Sequence, residues 1–76
     1  MLQRYTNIGG DSSVSAYETG LDWIDVHFSD GSAYRYSHAS CGQSNCDQMK
    51  RLAAAGDGLN SFIMRRVRKA YERKIR

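Results

Sequence analysis

The residues with the most evident chemical potential are the basic side chains of the stretch LNSFIMRRVRKAYERK, residues 59–74, which holds six of the chain's eleven lysine and arginine residues. Residues 60–76 carry seven basic groups and one acidic group, whereas residues 1–59 carry four basic and seven acidic groups. The positive charge is therefore concentrated at one end of the chain. A polyanion such as RNA would be attracted to that end, and so would an acidic protein surface.

The apolar residues of the same stretch predict a helix that presents this charge. Counted from Leu59, the apolar residues recur at the spacing of an amphipathic helix. These residues are Phe62, Ile63, Val67, Ala70 and Tyr71. At about 100° per residue the basic side chains fall into one strip. Phosphate contacts are predicted for Arg65, Arg66, Lys69, Arg73 and Arg76. The simpler interpretation is a solvated face that complements the helix dipole and keeps a small protein soluble.

Aromatic residues form a second feature with binding chemistry. Tyr34 and Tyr36 lie two residues apart in a strand-like segment, so both point to one sheet face and Arg35 points to the other. Two rings on one face could stack nucleic-acid bases, but a small sheet covered by helices also needs large side chains in its core. On the opposite face, Trp23 and Arg35 could form a stacking platform. The additional nucleic-acid candidates are therefore Trp23, Arg35 and Tyr36.

The spacing of histidine and cysteine suggests a third chemistry. His38, Cys41 and Cys46 form an H-x2-C-x4-C pattern that is compatible with one metal site, and His27 or Asp47 could supply a fourth ligand. The pattern lacks a second matched pair, and cysteines of a cytosolic protein are usually free thiols. We predict no metal and no cofactor, with His38, Cys41 and Cys46 as the alternative ligand set.

Catalytic signatures are absent from the sequence. It contains no phosphate-binding loop and no HExxH motif, and a cysteine nucleophile with His38 as its base would need an ordered oxyanion site that no motif indicates. We therefore predict a protein that is not an enzyme.

The period of the apolar residues predicts the elements that position these side chains. Alternation in VSAYE, WIDVHF and AYRY predicts three strands, with a hairpin turn at Asp30 and Gly31 between the last two. The segment DQMKRLAAA has helical spacing, and Asn45 with Gln48 is predicted to form its capping box. The sequence GDG separates it from the C-terminal helix, which Asp57 is predicted to cap.

These elements predict an α+β fold in which a three-stranded antiparallel β-meander is covered on one face by two C-terminal helices, in the order β-β-β-α-α. A length of 76 residues predicts a single domain, residues 12–76, after an N-terminal lead of residues 1–11. No apolar stretch approaches the roughly 18 residues that span a bilayer, so we expect a soluble, cytoplasmic protein with no membrane partner.

The stretches SVSAYE, IDVHFSDGSAYRY and LAAAGDGLNSFIMRRVRKAY together resemble the KTSC domain, a short module named for its occurrence at the C-terminus of some lysyl-tRNA synthetases and also found alone in small bacterial proteins. The family's central Y-x-Y motif is matched by Tyr34-Arg35-Tyr36. The C-terminal segment resembles the family's closing helix at Ser61-Phe62-Ile63, Arg66-Val67 and Tyr71. The resemblance covers roughly residues 12–72, which is most of the predicted ordered chain. The function of the family is unsettled, and its occurrence in lysyl-tRNA synthetases implies an association with RNA in a bacterial setting.

Two functions remain as expectations. The first is a small non-catalytic module that binds RNA or another polyanion with little sequence preference through the basic C-terminal helix. The second is a protein-interaction module whose basic helix docks an acidic partner surface. Base stacking separates the two, because only a nucleic acid offers bases to an aromatic ring.

Overall fold

The strands of the chain pair in one antiparallel sheet. Within the described residues, which are 2–8, 10 and 12–76 of a computed structural model, the strands are β1 (Gln3–Arg4), β2 (Val14–Thr19), β3 (Trp23–Phe28), β4 (Ala33–Ser37) and β5 (Arg73–Lys74). Their order in the sheet is β1-β2-β3-β4-β5. The helices are α1 (His38–Cys41), α2 (Gln43–Ala55) and α3 (Leu59–Phe62), and α3 continues directly into a π-helix at Ile63–Val67. The α+β class is confirmed, and β2, β3 and β4 lie where the alternation predicts the meander. The predicted order β-β-β-α-α is incomplete, because β1 and β5 add an edge strand on each side of the meander and α1 precedes α2.

The central hairpin follows from the turn chemistry of its sequence. Gly31 adopts a φ of 91°, which an L side chain rarely tolerates, and Asp30 stabilises the turn by accepting hydrogen bonds from the backbone and hydroxyl of Ser32. The resulting register pairs Ile24 with Tyr36 across β3 and β4. Because side chains alternate along a strand, this register sends Ile24 and Tyr36 to one face of the sheet.

The helices cover that face, and the core lies between the two layers. The Sγ of Cys46 on α2 lies 3.9 Å from the main-chain oxygen of Tyr36, and both residues are buried. The core cluster contains Tyr5, Val14, Ile24, Val26, Tyr36, Cys46, Met49, Ala53, Leu59, Ile63 and Val67. We call the other side of the sheet, which carries Trp23, Asp25 and Arg35, the outer face.

The N-terminal segment predicted as a lead contributes to this core. Tyr5 is only 3% exposed, and its hydroxyl accepts a hydrogen bond from the backbone N–H of Leu59. The backbone N–H of Ile8 donates to the carbonyl of Gly56 at the end of α2. Of residues 1–11, Met1, Gly9 and Asp11 lie outside the described residues.

The predicted helix caps are wrong. α2 begins at Gln43 after Gly42, so Asn45 lies inside the helix and donates its side-chain amide to the carbonyl of Cys41. Gly42 has a φ of 90°, which lets the chain leave α1 and enter α2 without a spacer. The N-cap of α3 is Gly58 rather than Asp57.

The prediction of a helix running from Leu59 to the C-terminus is also wrong beyond Val67. The chain turns after the π-helix, and Glu72 and Ile75 donate backbone hydrogen bonds to the carbonyls of Arg35 and Ala33. Strand β4 would otherwise expose a row of unpaired backbone groups along this edge, and pairing with β5 satisfies them. The stabilisation from these long-range backbone hydrogen bonds outweighs the helical preference that the spacing of the last residues indicates.

Candidate nucleic-acid interface

A cluster of aromatic rings forms where β5 meets β4. The ring centroids of Tyr34 and Tyr71 lie 4.8 Å apart with an interplanar angle of 49°. Phe28 approaches Tyr34 edge-on at 5.9 Å, and Tyr36 approaches Tyr71 edge-on at 6.2 Å. The turn after the π-helix positions Tyr71, because it directs the chain back toward β4. Tyr71 remains 39% exposed, so part of the cluster faces solvent.

The cluster forms the floor of a groove, which we call the aromatic groove. It has a volume of about 250 Å³ and is lined by Phe28, Tyr34, Tyr36, Met64, Arg68, Lys69 and Tyr71. The Nζ of Lys74 lies 5.8 Å from the centroid of the Tyr34 ring, at the range of a cation–π contact. The described lining therefore combines aromatic faces with the cationic side chains of Arg68 and Lys69, and Lys74 lies beside the lining over the ring of Tyr34. The described lining contains no carboxylate.

A second hollow continues the aromatic groove toward the β3–β4 hairpin. It shares Phe28, Tyr34 and Met64 with the groove and has a volume of about 300 Å³. Its far end carries hydroxyl groups and the carboxylate of Asp30. The Asp30 carboxylate is ionised at neutral pH, and hydrogen bonds from the side chain and backbone of Ser32 lower its pKa further. The floor thus runs from Arg68 and Lys69 at one end to Asp30 at the other, where the charge of Lys74 also contributes to the lowered pKa of Asp30.

Tyr36 is not available for stacking, which corrects its prediction as a base contact. Its ring is only 2% exposed and packs in the core, and burial raises the pKa of its hydroxyl to about 12. The accessible ring of the predicted motif is Tyr34, which is half-buried. The alternation rule correctly places both rings on one face, but the depth of each ring depends on how the helices cross the sheet.

Trp23 and Arg35 lie together on the outer face, as predicted, but they contact each other. The Cζ of Arg35 lies 4.1 Å from the centroid of the Trp23 ring. The same guanidinium donates to both carboxylate oxygens of Asp25, at 2.7 and 3.0 Å. The hydrogen bond to Asp25 raises the pKa of Arg35. One face of the indole is thus covered by a cation, and a hydrogen atom is all that fits at Gly20 against the indole edge.

Arg65 and Arg66 point to a different groove, on the other side of the π-helix. This groove, which we call the helical groove, has a volume of about 570 Å³ and runs between α2 and α3. It is lined by Ser44, Asn45, Gln48, Leu52, Gly58, Ser61, Phe62, Arg65 and Arg66. The π-helix therefore divides the basic run, with Met64 and Arg68 on one side and Arg65 and Arg66 on the other.

Arg73 and Arg76 do not lie on a helix, which corrects the predicted strip. Arg73 is the cross-strand partner of Arg35, so its side chain lies on the outer face. Arg76 follows β5, and its main-chain oxygen accepts a hydrogen bond from Ala33. The predicted phosphate contacts are thus distributed over separate surfaces, and of them only Lys69 lines the aromatic groove.

The alternative metal ligands do not converge. The Nε2 of His38 lies 3.3 Å from Asp47 Oδ1, whereas the Sγ of Cys41 points to the carbonyl of Ser37 and Cys46 is fully buried. Burial raises the pKa of both thiols, that of Cys46 to about 11. Within the part of the chain that the structure describes, no cluster of three or more potential ligands forms.

Several members of the aromatic groove are not predicted by the spacing of the sequence. The helical spacing places Tyr71 in an apolar stripe, and Phe28, Met64, Arg68 and Lys74 fall outside every site that the sequence predicts. A tyrosine that follows a basic turn could have indicated a strand pairing with the Y-x-Y segment. No local pattern indicates that Phe28 and Met64 meet there, since they come from β3 and the π-helix.

Comparison with known proteins returned no family model, no curated protein and no solved structure that matches this chain. The resemblance to the KTSC domain therefore stays a prediction. In the described residues, every helix is too short or too polar to cross a membrane.

Proposed function

We propose that the protein is a small non-catalytic module that binds single-stranded RNA in the aromatic groove, with little sequence preference. One observation carries the proposal: the half-buried ring of Tyr34 and the partly exposed ring of Tyr71 lie together beside three cationic side chains, Arg68, Lys69 and Lys74. Stacking on aromatic rings together with phosphate neutralisation is the usual chemistry of sequence-tolerant single-strand binding. The predicted kinship with the KTSC domain supports the same assignment.

The aromatic floor of the groove favours a single strand over a duplex. A base can reach the faces of Tyr34 and Tyr71 only when it is unstacked from its neighbours, as bases of single strands and loops are. A bound nucleotide would place its base over the tyrosines and its phosphates beside Lys69 and Lys74. The absence of a carboxylate from the described lining of the aromatic groove avoids repulsion of the phosphates at this end.

The test is a fluorescence anisotropy titration of labelled single- and double-stranded RNA at several salt concentrations. Three phosphate contacts on a single strand predict a slope of log Kobs against log salt of about −2. The Lys69→Glu/Lys74→Glu variant reverses the charge of both lysines. It should weaken RNA binding at least about ten-fold and bring the slope to about −0.7.

The chain offers a charge-matched control in the Arg4→Glu/Arg51→Glu variant. Both arginines are exposed and line neither the aromatic nor the helical groove. This variant should keep the wild-type affinity to within about three-fold, since it changes only long-range attraction. An equal loss of RNA affinity in both variants would show that binding depends on net charge alone, and it would contradict an RNA site in the aromatic groove. Absence of binding by the wild type at low salt would reject the function.

A further inference from the structure

The helical groove has the composition of a second binding site. Its cationic side chains, Arg65 and Arg66, are both exposed, and no acidic residue is among its described lining. In the described part of the chain, the ion pairs involve Arg35 and His38, so neither Arg65 nor Arg66 is neutralised by a carboxylate there. A ligand with carboxylates would therefore meet two uncompensated guanidinium groups, which bind carboxylates in a two-pronged geometry.

The floor and wall of the groove fit a peptide better than a nucleotide. Leu52 and Phe62 are half-buried against the core, and they leave an apolar floor without a pair of accessible ring faces for a base. The wall carries hydroxyl and amide groups from Ser44, Asn45 and Gln48. Asn45 uses its Nδ2 to donate to the carbonyl of Cys41, which leaves its Oδ1 as an acceptor for a peptide N–H.

The π-helix makes the two grooves independent. Arg65 and Arg66 line the helical groove, while Met64 and Arg68 line the aromatic groove on the other side of the same turn. A wider helical turn of this kind often occurs at functional sites, because it changes which side chains share a face. A ligand in one groove therefore does not cover the cations of the other.

We propose that the helical groove binds an acidic peptide segment of a partner protein. An apolar side chain of the segment lies on Leu52 and Phe62, and its flanking carboxylates pair with Arg65 and Arg66. Docking of a short segment between two helices, with apolar anchors and charges at the rim, is an established mode of peptide recognition. This site goes beyond the proposed RNA groove and does not depend on it.

The probe is a fluorescein-labelled synthetic peptide of aspartate and glutamate residues with one central leucine, titrated against the intact chain at low salt. Arg65→Glu/Arg66→Glu should weaken binding about ten-fold, whereas the charge-matched Lys69→Glu/Lys74→Glu variant should change it less than about three-fold. A peptide with asparagine and glutamine in place of the acidic residues should not bind, and replacement of its leucine by serine should weaken binding.

Each outcome bears on the proposal. All four side chains are exposed, so the variants should fold, and circular dichroism checks that they do. Absence of peptide binding at millimolar concentration, or an equal loss in both variants, would overturn the peptide site. Displacement of the peptide by single-stranded RNA would also overturn it, because the helical groove would then belong to the RNA path. Peptide binding that persists beside bound RNA supports two separate sites.

Discussion

Tyr34 and Tyr71 lie with their ring centroids 4.8 Å apart, although one belongs to β4 and the other follows the turn after the π-helix. Their contact exists because the C-terminal segment leaves the helix and pairs with β4. Had the helix continued, Tyr71 would lie on the apolar stripe of that helix and not on Tyr34, and the floor of the aromatic groove would lack one ring. The strand pairing that completes the sheet therefore also forms the candidate site.

Replacement of the Tyr71 ring should separate binding from folding. Tyr71→Ala should weaken the affinity for single-stranded RNA about ten-fold, since one base stack contributes about 1–3 kcal/mol. Because Tyr71 is 39% exposed, the free energy of unfolding should fall by only about 1 kcal/mol. Anisotropy titration and urea unfolding measure the two effects.

Tyr71→Phe is the matched control for this prediction. It keeps the ring and removes the hydroxyl, so its affinity should stay within about two-fold of the wild type. Equal losses in the alanine and phenylalanine variants would show that the hydroxyl, and not the ring, contacts RNA.

The pair of Arg35 and Asp25 should matter for stability and not for RNA binding. Asp25 is 6% exposed, and its carboxylate accepts two hydrogen bonds from Arg35. Arg35→Met leaves this carboxylate without its cation and should cost about 2 kcal/mol of unfolding free energy. RNA affinity should change less than about two-fold, since Arg35 lies on the outer face.

A double-mutant cycle with Asp25→Leu checks the cause. The double variant should be more stable than the sum of the two single losses predicts, because no unpaired charge remains buried. Strictly additive losses would argue against the ion pair as the source of the effect.

The part of the fold that the sequence predicts is the part with a regular local period. The alternation around Ile24 and Val26 identifies β3, and the spacing of Cys46, Met49 and Ala53 identifies the buried face of α2. The two-residue strands β1 and β5 have no such period. They form because the edges of β2 and β4 need backbone partners, which is a tertiary demand that no local window contains.

The candidate site was predictable in chemistry but not in geometry. The concentration of positive charge predicts a binding site among the C-terminal residues, whereas the residue predicted from Y-x-Y is the buried Tyr36 and not Tyr34. The helical spacing of Ala70 and Tyr71 then misled, because both positions also pack when the chain turns back: Ala70 lies against the core and Tyr71 lies on Tyr34. The basic side chains that were predicted to form one strip on a helix therefore lie on separate surfaces, in the two grooves and on the outer face.

Gly56 should resist substitution for two separable reasons. Its φ of 76° strains any L residue, and an added Cβ would lie 2.6 Å from the Cβ of Thr6 in the N-terminal segment. We expect Gly56→Ala to lower the free energy of unfolding by about 3 kcal/mol. Gly31→Ala is the control, since Gly31 has a φ of 91° with open space around it, and it should cost only about 1 kcal/mol. Equal costs in urea unfolding would show that Thr6 does not pack against Gly56.

Stability should decline at alkaline pH. Burial raises the pKa of Cys46 from 9.0 to about 11 and that of Tyr36 from 10.0 to about 12, so the folded state holds protons that the unfolded state releases. The stabilisation is complete below pH 9.0 and is lost as pH rises toward about 12. Urea midpoints measured across this range should fall. Cys46→Ala should flatten the lower part of the decline, and an unchanged profile would assign it to other groups.

The most direct test of the RNA groove is a two-dimensional 15N–1H NMR titration of the protein with a short single-stranded RNA. We expect the largest amide shifts at Tyr34, Met64, Lys69, Tyr71 and Lys74, with small shifts at Arg65 and Arg66 across the π-helix. Shifts centred on the helical groove or on the outer face around Trp23, or no saturable shifts at all, would contradict the assignment of single-stranded RNA to the aromatic groove.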